Sequence, residues 1–234
     1  MHSRRFADPQ SPSLIPPSAD LQVWIDFDGT ITQKDVLDEL IRGYAVDDSW
    51  KLAEQQWQEG SIGSQECLSR QFAVIRISDA ELDRFLDTIP IDDGIFPLLQ
   101  LLDQFRVPYA VLSDGIDRFI HRLFRRHGLL DVPVRCNTIV RDGDAMALSC
   151  PHGSATCESA AAHCKCASMV ALGKPSRQSI FIGDGRSDLC PSRKCACVFA
   201  KGVLATNLES EGQAFLPYST LHDVSSILAT AWGA

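Results

Sequence analysis

The stretch that decides the fold is Leu21-Gln-Val-Trp-Ile-Asp-Phe-Asp-Gly-Thr-Ile-Thr32, in which a short apolar run ends in two carboxylates, Asp26 and Asp28. Buried strands rarely hold two acids so close together, because an unpaired charge is costly away from water. At the carboxyl end of a strand in an open α/β sheet the pair is reasonable, since ligands bind at that edge. The stretch therefore indicates either a solvated acidic turn or a nucleophilic carboxylate with a second acid beside it.

Composition and charge restrict the class of protein. The chain has 234 residues, 45% of them hydrophobic and 22% charged, which suits one globular core domain with an insertion. Its formal net charge, 22 − 30 = −8, argues against nucleic acid or an anionic membrane as partner. No apolar run reaches the roughly 18 residues of a membrane span. Residues 1–20 are rich in Pro and Ser without the apolar core of a secretory signal, which predicts a disordered tail and a cytoplasmic protein.

The segment 34–88 follows the acidic turn directly and has the pattern of several helices. Apolar residues recur there at helical spacing, and Ser78-Asp-Ala-Glu81 is a capping-box pattern that opens the last of these helices. Helices inserted at this point would lie over the strand ends as a lid. The alternative is that they pack elsewhere on the core. We predict a helical cap domain at 34–88 and a core domain made of 21–33 and 89–234.

The rest of the chain alternates strands and helices. One predicted strand, 108–112, ends in Ser113-Asp-Gly115, and another, 179–182, ends in Gly183-Asp-Gly-Arg-Ser-Asp188. Strands separated by helices form parallel sheets with right-handed crossovers, so the predicted fold class is α/β with a Rossmann-like sheet. The other predicted elements are helices at 94–106, 117–127, 166–172 and 221–231, a hairpin at 134–147 and a strand at 197–200.

These strand ends would bring several polar side chains to one edge of the sheet. They are Asp26, Asp28, Ser113, Asp184 and Asp188. Four carboxylates repel one another unless a cation lies among them, and hard oxygen ligands favour Mg²⁺. A cation beside a free carboxylate nucleophile suits phosphoryl transfer through an aspartyl-phosphate. Ser113 and the amides after each strand would then hold phosphoryl oxygens.

Such a site also needs a fixed positive charge to neutralise the charge that develops on the phosphoryl group. Lys165 and Lys174 are the two candidates. Lys174 precedes Pro175 in the loop that enters the last strand of the site, which places it at the opposite edge as a solvated residue. Lys165 is far enough upstream for a helix and a returning strand, at a helix N-terminus that also attracts phosphate. We therefore select Lys165.

Together, 26–32, Ser113-Asp-Gly115, Lys165 and 183–188 resemble the four motifs of the haloacid dehalogenase (HAD) superfamily phosphatases. The resemblance implies a HAD core fold, with Asp26 as nucleophile and Asp28 as general acid and base. It implies Mg²⁺ held by Asp26, the backbone carbonyl of Asp28 and Asp184, with Asp188 supporting the site. The phosphate contacts that it implies come from Ser113, Asp114, Gly115 and Lys165.

The helical insertion resembles the phosphoserine-phosphatase-like branch of that superfamily. Within the branch, the Cys-rich stretch leading into Lys165 and the Leu216-Pro-Tyr218 tripeptide are similar to the methionine-salvage phosphatases of 2-hydroxy-3-keto-5-methylthiopentenyl-1-phosphate. Asp35 stands where phosphoserine phosphatases usually have Glu, and the second motif reads Ser-Asp-Gly instead of Ser-Gly-Gly. Both departures weaken phosphoserine as the substrate. The resemblance implies a small phosphorylated metabolite, of the sugar-phosphate-like kind used in methionine salvage. A phosphoserine phosphatase and a catalytically inactive binding module on the same fold remain alternatives, and exposed apolar positions on the cap leave a homodimer open.

The chain contains nine cysteines, of which Cys150, Cys157, Cys164 and Cys166 form a cluster in the sequence. With His152 or His163 they offer enough ligands for a structural zinc site. Free thiols and oxidised pairs are the alternatives, and without a secretory signal reduced thiols are expected. A cysteine next to Lys165 is expected to have a lowered pKa and to oxidise readily, with loss of activity.

Overall fold

The computed structural model describes residues 15–18, 20–173 and 178–234. At its centre is a seven-stranded sheet, whose strands are β1 (Gln22–Ile25), β2 (Tyr109–Ile116), β3 (Val134–Asp142), β4 (Ala145–Ser149), β5 (Ser179–Gly183), β6 (Cys197–Ala200) and β7 (Leu216–Pro217). The strand order is β4-β3-β2-β1-β5-β6-β7. All neighbouring pairs are parallel except β3 and β4, which form the predicted hairpin and make the sheet mixed.

Helices flank this sheet, and the predicted α/β Rossmann-like fold is confirmed. They are α1 (Val36–Tyr44), α2 (Ser49–Gln58), α3 (Ser64–Val74), α4 (Asp79–Leu86), α5 (Ile95–Gln104), α6 (Asp117–His127), α7 (Lys165–Ala171), α8 (Leu189–Ser192), α9 (Gly202–Ser210) and α10 (Leu221–Trp232), with a 3-10 turn at Arg186–Asp188. In the described ranges of the chain, no helix has the length and apolar character needed to cross a membrane.

The central strand β1 explains why the opening stretch is so apolar. Its four residues are fully or almost fully buried, because β2 and β5 pair with it on either side and both faces of the sheet are covered. Ile25 lies level with Val111 and Ile182, and the amide of Asp26 donates to the Ile182 carbonyl at 2.9 Å. Asp26, the first of the two carboxylates in the opening stretch, therefore stands where the central strand ends.

The segment 34–88 contains α1 to α4. The predicted capping box is present, with the Ser78 hydroxyl accepting from the amide of Glu81 and the Glu81 carboxylate accepting from the amide of Ser78. On one side these helices are attached to the core, because Arg118 and Arg122 of α6 form ion pairs with acids of α4 and α3 contacts β4. Exposed pairs of this kind contribute about 0–1 kcal/mol each, so they orient the helices more than they stabilise them.

Several boundaries differ from the sequence prediction for identifiable reasons. Strand β2 continues to Ile116, because pairing resumes there after a bulge: the register with β3 passes from Leu112–Arg135 to Ile116–Asn137. Helix α9 and strand β7 were not predicted, since β7 is too short to show a periodicity. Of the predicted disordered tail, 1–14 and 19 lie outside the described residues. Ile15 packs on the core, and its carbonyl accepts from the Trp232 indole at 3.0 Å.

Candidate active site

Three carboxylates from distant parts of the sequence meet at the carboxyl edge of the sheet. Asp26 follows β1, Asp184 follows β5, and Asp188 ends the 3-10 turn. One oxygen of each lies within 4.8 Å of the other two, the spacing of ligands around a single cation. This is the only such group of three or more acids, histidines or cysteines in the described part of the chain. Its hard oxygen donors fit Mg²⁺.

Lys165 supplies the positive charge of the site. It is the first residue of α7, its side chain is 1% exposed, and its Nζ donates to Asp26 Oδ1 and Asp188 Oδ1 at 2.5 Å each. Burial alone would lower the pKa of Lys165, but the carboxylates of Asp188 and Asp26 outweigh it and raise that pKa. The ammonium therefore stays charged beside the carboxylate predicted to be the nucleophile. Lys174, the rejected candidate, lies outside the described residues.

Asp188 shapes the loop that carries Asp184. It is fully buried, with one oxygen on Lys165 and the other accepting from the amides of Asp184 and Gly185 at 3.1 and 3.0 Å. Burial, and then the charge of Asp188, raise the pKa of Asp184 to about 6. A cation bound between the acids would relieve this repulsion, which is a second sign that the residues present suit one.

Asp28 lies on the other side of the edge, towards the second motif. Its Oδ1 accepts from the amide of Val36 at 3.1 Å, and its Oδ2 lies 3.4 Å from the Ser113 hydroxyl. Burial raises the pKa of Asp28 to about 6, which suits proton transfer near neutral pH. Gly115 has to be glycine here, because a Cβ would lie only 2.6 Å from Asp28 Oδ2.

Two further residues, Thr30 and Tyr218, belong to the site but were not predicted from the sequence. The Thr30 hydroxyl donates to Asp184 Oδ1 at 3.1 Å. The Tyr218 hydroxyl lies 3.4 Å from the Thr30 hydroxyl and donates to the Gly183 carbonyl at 3.3 Å. Thr30 thus holds the metal-binding candidate Asp184 directly, and Tyr218 acts through the hydroxyl of Thr30. In the sequence the Leu216-Pro-Tyr218 tripeptide indicates only a family resemblance, and no local signal predicts that β7 brings it to this edge.

Asp114, predicted as a phosphate contact, has its carboxylate turned towards the protein. Its Oδ2 accepts from the Ser64 hydroxyl of α3 at 2.8 Å and its Oδ1 from the amide of His163 at 2.6 Å. Ser64 in turn accepts from the amide of Ala162 at 3.0 Å. Because a carboxylate repels phosphate, only the main-chain amide of Asp114 could take the predicted role in phosphate binding. Its side chain instead ties the helical insertion to the core.

His163 was considered as a zinc ligand, but both of its ring nitrogens are engaged within the protein. The ring is fully buried, Nδ1 lies 2.8 Å from the Ser113 carbonyl and Nε2 lies 2.7 Å from the Ser168 hydroxyl. Since a carbonyl can only accept, Nδ1 carries the proton and Nε2 accepts from Ser168. Burial lowers the pKa of His163 to about 3, so the ring is neutral.

The predicted zinc site is not supported. Among the described residues, Cys150, Cys157, Cys164 and Cys166 bring no three ligand atoms together, and all four are free thiols. Cys166 lies against Cys190 instead, a residue outside the cluster in the sequence, with 3.2 Å between the sulfurs. The expectation of a lowered pKa next to Lys165 was wrong for both neighbours, because burial raises the pKa of Cys166 to about 12 and also raises that of Cys164.

A cavity of about 190 Å³ opens over these acids. Its floor is the carboxyl edge of the sheet, and its roof comes from the inserted helices. The roof combines an apolar part with acids and an amide: Asp35, Leu37, Asp38, Glu54, Trp57, Cys67, Leu68 and Gln71. Arg186 contributes a positive charge to the lining, with its guanidinium 5.7 Å from the centre of the Trp57 ring. A phosphate ester seated on the floor would place its organic part against the roof.

Comparison with known proteins shows which family the chain belongs to. The model of the family described as Putative Phosphatase matches residues 21–200. The 2-hydroxy-3-keto-5-methylthiopentenyl-1-phosphate phosphatase of Bacillus mycoides (strain KBAB4) is 28% identical over 87% of this chain and 94% of its own length. The protein of that name from Bacillus thuringiensis subsp. konkukian (strain 97-27) is 26% identical over 89% of this chain and 95% of its own.

Solved structures show the same fold. A HAD family hydrolase of Salmonella enterica subsp. enterica serovar Typhi superposes with a TM-score of 0.71 at 21% identity, covering 92% of this chain and 72% of that one. A phosphoserine phosphatase in the form of a phospho-aspartyl intermediate analogue superposes with a TM-score of 0.68 at 17% identity, covering 90% of this chain and 100% of that one. At these identities the likeness concerns the fold alone.

Proposed function

The chain belongs to the Putative Phosphatase family and is a phosphatase of the HAD superfamily, and from this premise we propose that it hydrolyses a small phosphate monoester through an aspartyl-phosphate on Asp26. This assignment replaces the alternative of an inactive binding module. The observation that carries the proposal is the contact of Lys165 Nζ with both Asp26 and Asp188 at the end of the central strand.

In the first step, a carboxylate oxygen of Asp26 attacks phosphorus and the ester oxygen leaves. Asp28, with its pKa raised to about 6, gives its proton to the leaving oxygen. Ser113, whose hydroxyl accepts from the Gly115 amide at 2.8 Å, would turn its proton from Asp28 to a phosphoryl oxygen when the ester binds, next to the main-chain amides of Asp114 and Gly115. In the second step Asp28, now a carboxylate, takes a proton from the water that hydrolyses the acyl phosphate. Lys165 offsets negative charge throughout, because its pKa keeps it protonated.

We propose Mg²⁺ as the cofactor, held by Asp26, the backbone carbonyl of Asp28 and Asp184, with Asp188 in support. The support for this comes from the oxygen spacing of the three acids and from the raised pKa of Asp184. When bound, the cation would screen the repulsion between these carboxylates and the phosphoryl group. Thr30 keeps Asp184 in its orientation, with Tyr218 in contact with the hydroxyl of Thr30.

For the substrate, we propose a methylthio-bearing sugar-phosphate-like metabolite of the kind named for the Bacillus relatives. The apolar part of the cavity roof supports it, because Leu37, Trp57, Cys67 and Leu68 offer a thioether a place away from water. Phosphoserine is the second candidate, which the acids of the same roof favour, since its ammonium would need a carboxylate. Asp35 is the matching residue, but its carboxylate already caps α1 by accepting from the amide of Asp38 at 3.0 Å.

The segment 34–88 is proposed to be the cap domain that selects the substrate, with 21–33 and 89–234 as the core. The cavity supports this division, since its floor and its roof come from these two parts of the chain. Pairing of two chains through the cap and a cytoplasmic location remain predictions.

The mechanism is tested by phosphate release from p-nitrophenyl phosphate with Mg²⁺. Asp26→Asn should reduce kcat by at least about a thousandfold, because an amide is no nucleophile towards phosphorus. Asp93→Asn, an exposed acid with an 84% accessible side chain, is the matched control and should keep full activity. Borohydride reduction of the acid-quenched enzyme should modify Asp26 alone. Equal turnover by the two variants would contradict the mechanism.

Substrate selection is tested with two synthetic esters of equal chain length, a methylthioalkyl phosphate and an aminoalkyl phosphate. We expect the higher kcat/KM for the methylthio ester. Leu68→Ala should lower that value by about tenfold, as expected for a lost apolar contact of 1–3 kcal/mol, and should leave the amino ester nearly unchanged. A preference for the amino ester would favour the phosphoserine-like alternative.

A further inference from the structure

Cys166 and Cys190 form a close pair of thiols beside the active site. Their sulfurs are 3.2 Å apart, although 24 positions separate them in the sequence. Cys166 is the second residue of α7 and Cys190 the second residue of α8. A disulfide needs its sulfurs about 2.0 Å apart, so a small movement of these two helix starts would join them.

The two thiols differ in their access to solvent. Cys166 is only 9% exposed, whereas Cys190 is partly exposed. Cys190 borders a second cavity of about 500 Å³, which lies between the turn before α3 and the loop before α7 and is also lined by Glu158, Arg186 and Arg193. A small oxidant can therefore reach Cys190 first, and Cys166 is in place to react next.

The positions of both thiols connect them to the catalytic charges. Cys166 follows Lys165 directly, and Cys190 comes shortly after Asp188. These two neighbours are themselves joined, since Lys165 Nζ donates to Asp188 Oδ1 at 2.5 Å. A shift of about 1 Å at a group that positions a reacting atom can cost about a hundredfold in rate. Movement of either helix start is thus transmitted to the Lys165 ammonium.

We propose that Cys166 and Cys190 are an oxidation site, at which a hydroperoxide forms a disulfide that displaces Lys165 and switches the phosphatase off. The sulfur of Cys190 attacks the peroxide O–O bond and becomes a sulfenic acid, and the hydroxide that leaves takes up the thiol proton as water. Cys166 then attacks the sulfenic sulfur, the S–S bond forms, and the Cys166 proton leaves with the hydroxyl as a second water. A dithiol reductant reverses the oxidation by thiol–disulfide exchange.

The proposal rests on the proposed role of Lys165, and thiol mapping tests it separately from activity. The full chain is treated with hydrogen peroxide, alkylated and digested, and mass spectrometry identifies the linked peptides. We expect a Cys166–Cys190 peptide, a loss of about 2 Da from the intact chain, and a fall of kcat for p-nitrophenyl phosphate of at least about tenfold. Dithiothreitol should restore both the mass and the rate.

Cys190→Ser should keep its activity under peroxide, with Cys190→Ala as a second variant that removes the same sulfur. Cys195→Ser, five positions further along, is the matched control and should be inactivated like the wild type. A linked Cys157–Cys164 peptide in place of the expected one, full turnover by the linked protein, or inactivation of both Cys190 variants would each overturn the proposal. An inactive reduced wild type would contradict the proposed function instead, and the peptide map would still decide the oxidation site.

Discussion

At the scale of single residues, the two carboxylates of the opening stretch have different environments. Asp26 is 5% exposed; burial and then Asp188 raise its pKa, against which the ammonium of Lys165 acts. Asp28 contacts an amide and a hydroxyl, and its pKa is about 6. Pairs of acids whose surroundings differ in this way can take different roles. The proposed division, in which Asp26 attacks and Asp28 carries the proton, therefore follows from the different neighbours of the two carboxylates.

His163 gives a prediction about pH and stability. Its folded-state pKa, about 3, is below the 6.5 of an unfolded histidine, so only the unfolded chain takes up this proton between those values. The contribution of His163 to stability is complete above pH 6.5 and is lost as the pH falls, by about 1.4 kcal/mol per unit. Between pH 7 and pH 5 the free energy of unfolding should therefore drop about 2 kcal/mol more in the wild type than in His163→Asn.

The measurement is urea unfolding of both proteins across that pH range. Asparagine can still donate to the Ser113 carbonyl, so the variant loses the titrating ring while keeping that hydrogen bond. His222→Asn is the control, because His222 lies at the surface with a 54% exposed side chain, and its pH profile should follow that of the wild type. Parallel profiles for His163→Asn and the wild type would show that folding does not lower the pKa of His163.

At the scale of elements, α3 is joined to the end of β2 by one buried contact. The Ser64 hydroxyl at the start of α3 donates to Asp114, whose pKa is raised by burial. Ser64→Ala would remove one of the donors that hold this carboxylate, at a cost of about 1–3 kcal/mol in the free energy of unfolding. Urea unfolding measures it directly.

Ser69→Ala is the matched control on the same helix. Ser69 is exposed and donates only to the Gln65 carbonyl one turn back, so its removal should change the free energy of unfolding by less than about 0.5 kcal/mol. Equal losses in the two variants would mean that the Ser64–Asp114 contact does not stabilise the joint between α3 and the core. The cavity roof should also loosen in Ser64→Ala, which would raise KM for both synthetic esters.

At the scale of the whole molecule, folding brings together carboxylates that lie far apart in the sequence. Asp26, Asp184 and Asp188 converge, while the chain as a whole already carries a net charge of −8. A ligand that binds only the folded state stabilises it, by about 2.7 kcal/mol at a concentration one hundred times its Kd. Mg²⁺ at such a concentration should therefore raise Tm by several degrees, because one kcal/mol is worth about 2–4 °C at this size.

The test compares Tm with Mg²⁺ and with EDTA in the wild type and two variants. Asp184→Asn should lose most of the rise, since it removes a charged ligand. Asp131→Asn, an exposed acid near the other end of the sheet, should keep the rise. A rise of equal size in both variants would indicate that the cation binds outside the predicted site.

Much of the fold was accessible from the sequence, because its signals are local. The run 22–25, the helices behind it and the hairpin at 134–147 are read from periodicity and turn residues, and the structure has them within a few residues of the predicted bounds. Strand ends in a parallel sheet share one edge, so the meeting of Asp26, Asp184 and Lys165 also followed from element order. In these cases nearby residues determine the outcome.

Tertiary structure alone decided which side chains meet when no local signal links them. The contact of Tyr218 with Thr30, which in turn donates to Asp184, depends on β7, a strand too short to be predicted. The Ser64–Asp114 contact depends on how the inserted helices lie over the core. Likewise, Cys166 meets Cys190 and not the cysteines clustered with it in the sequence. A sequence states which groups exist and on which elements they lie. Which of them come within bonding distance is set by the packing of elements, to which every part of the chain contributes.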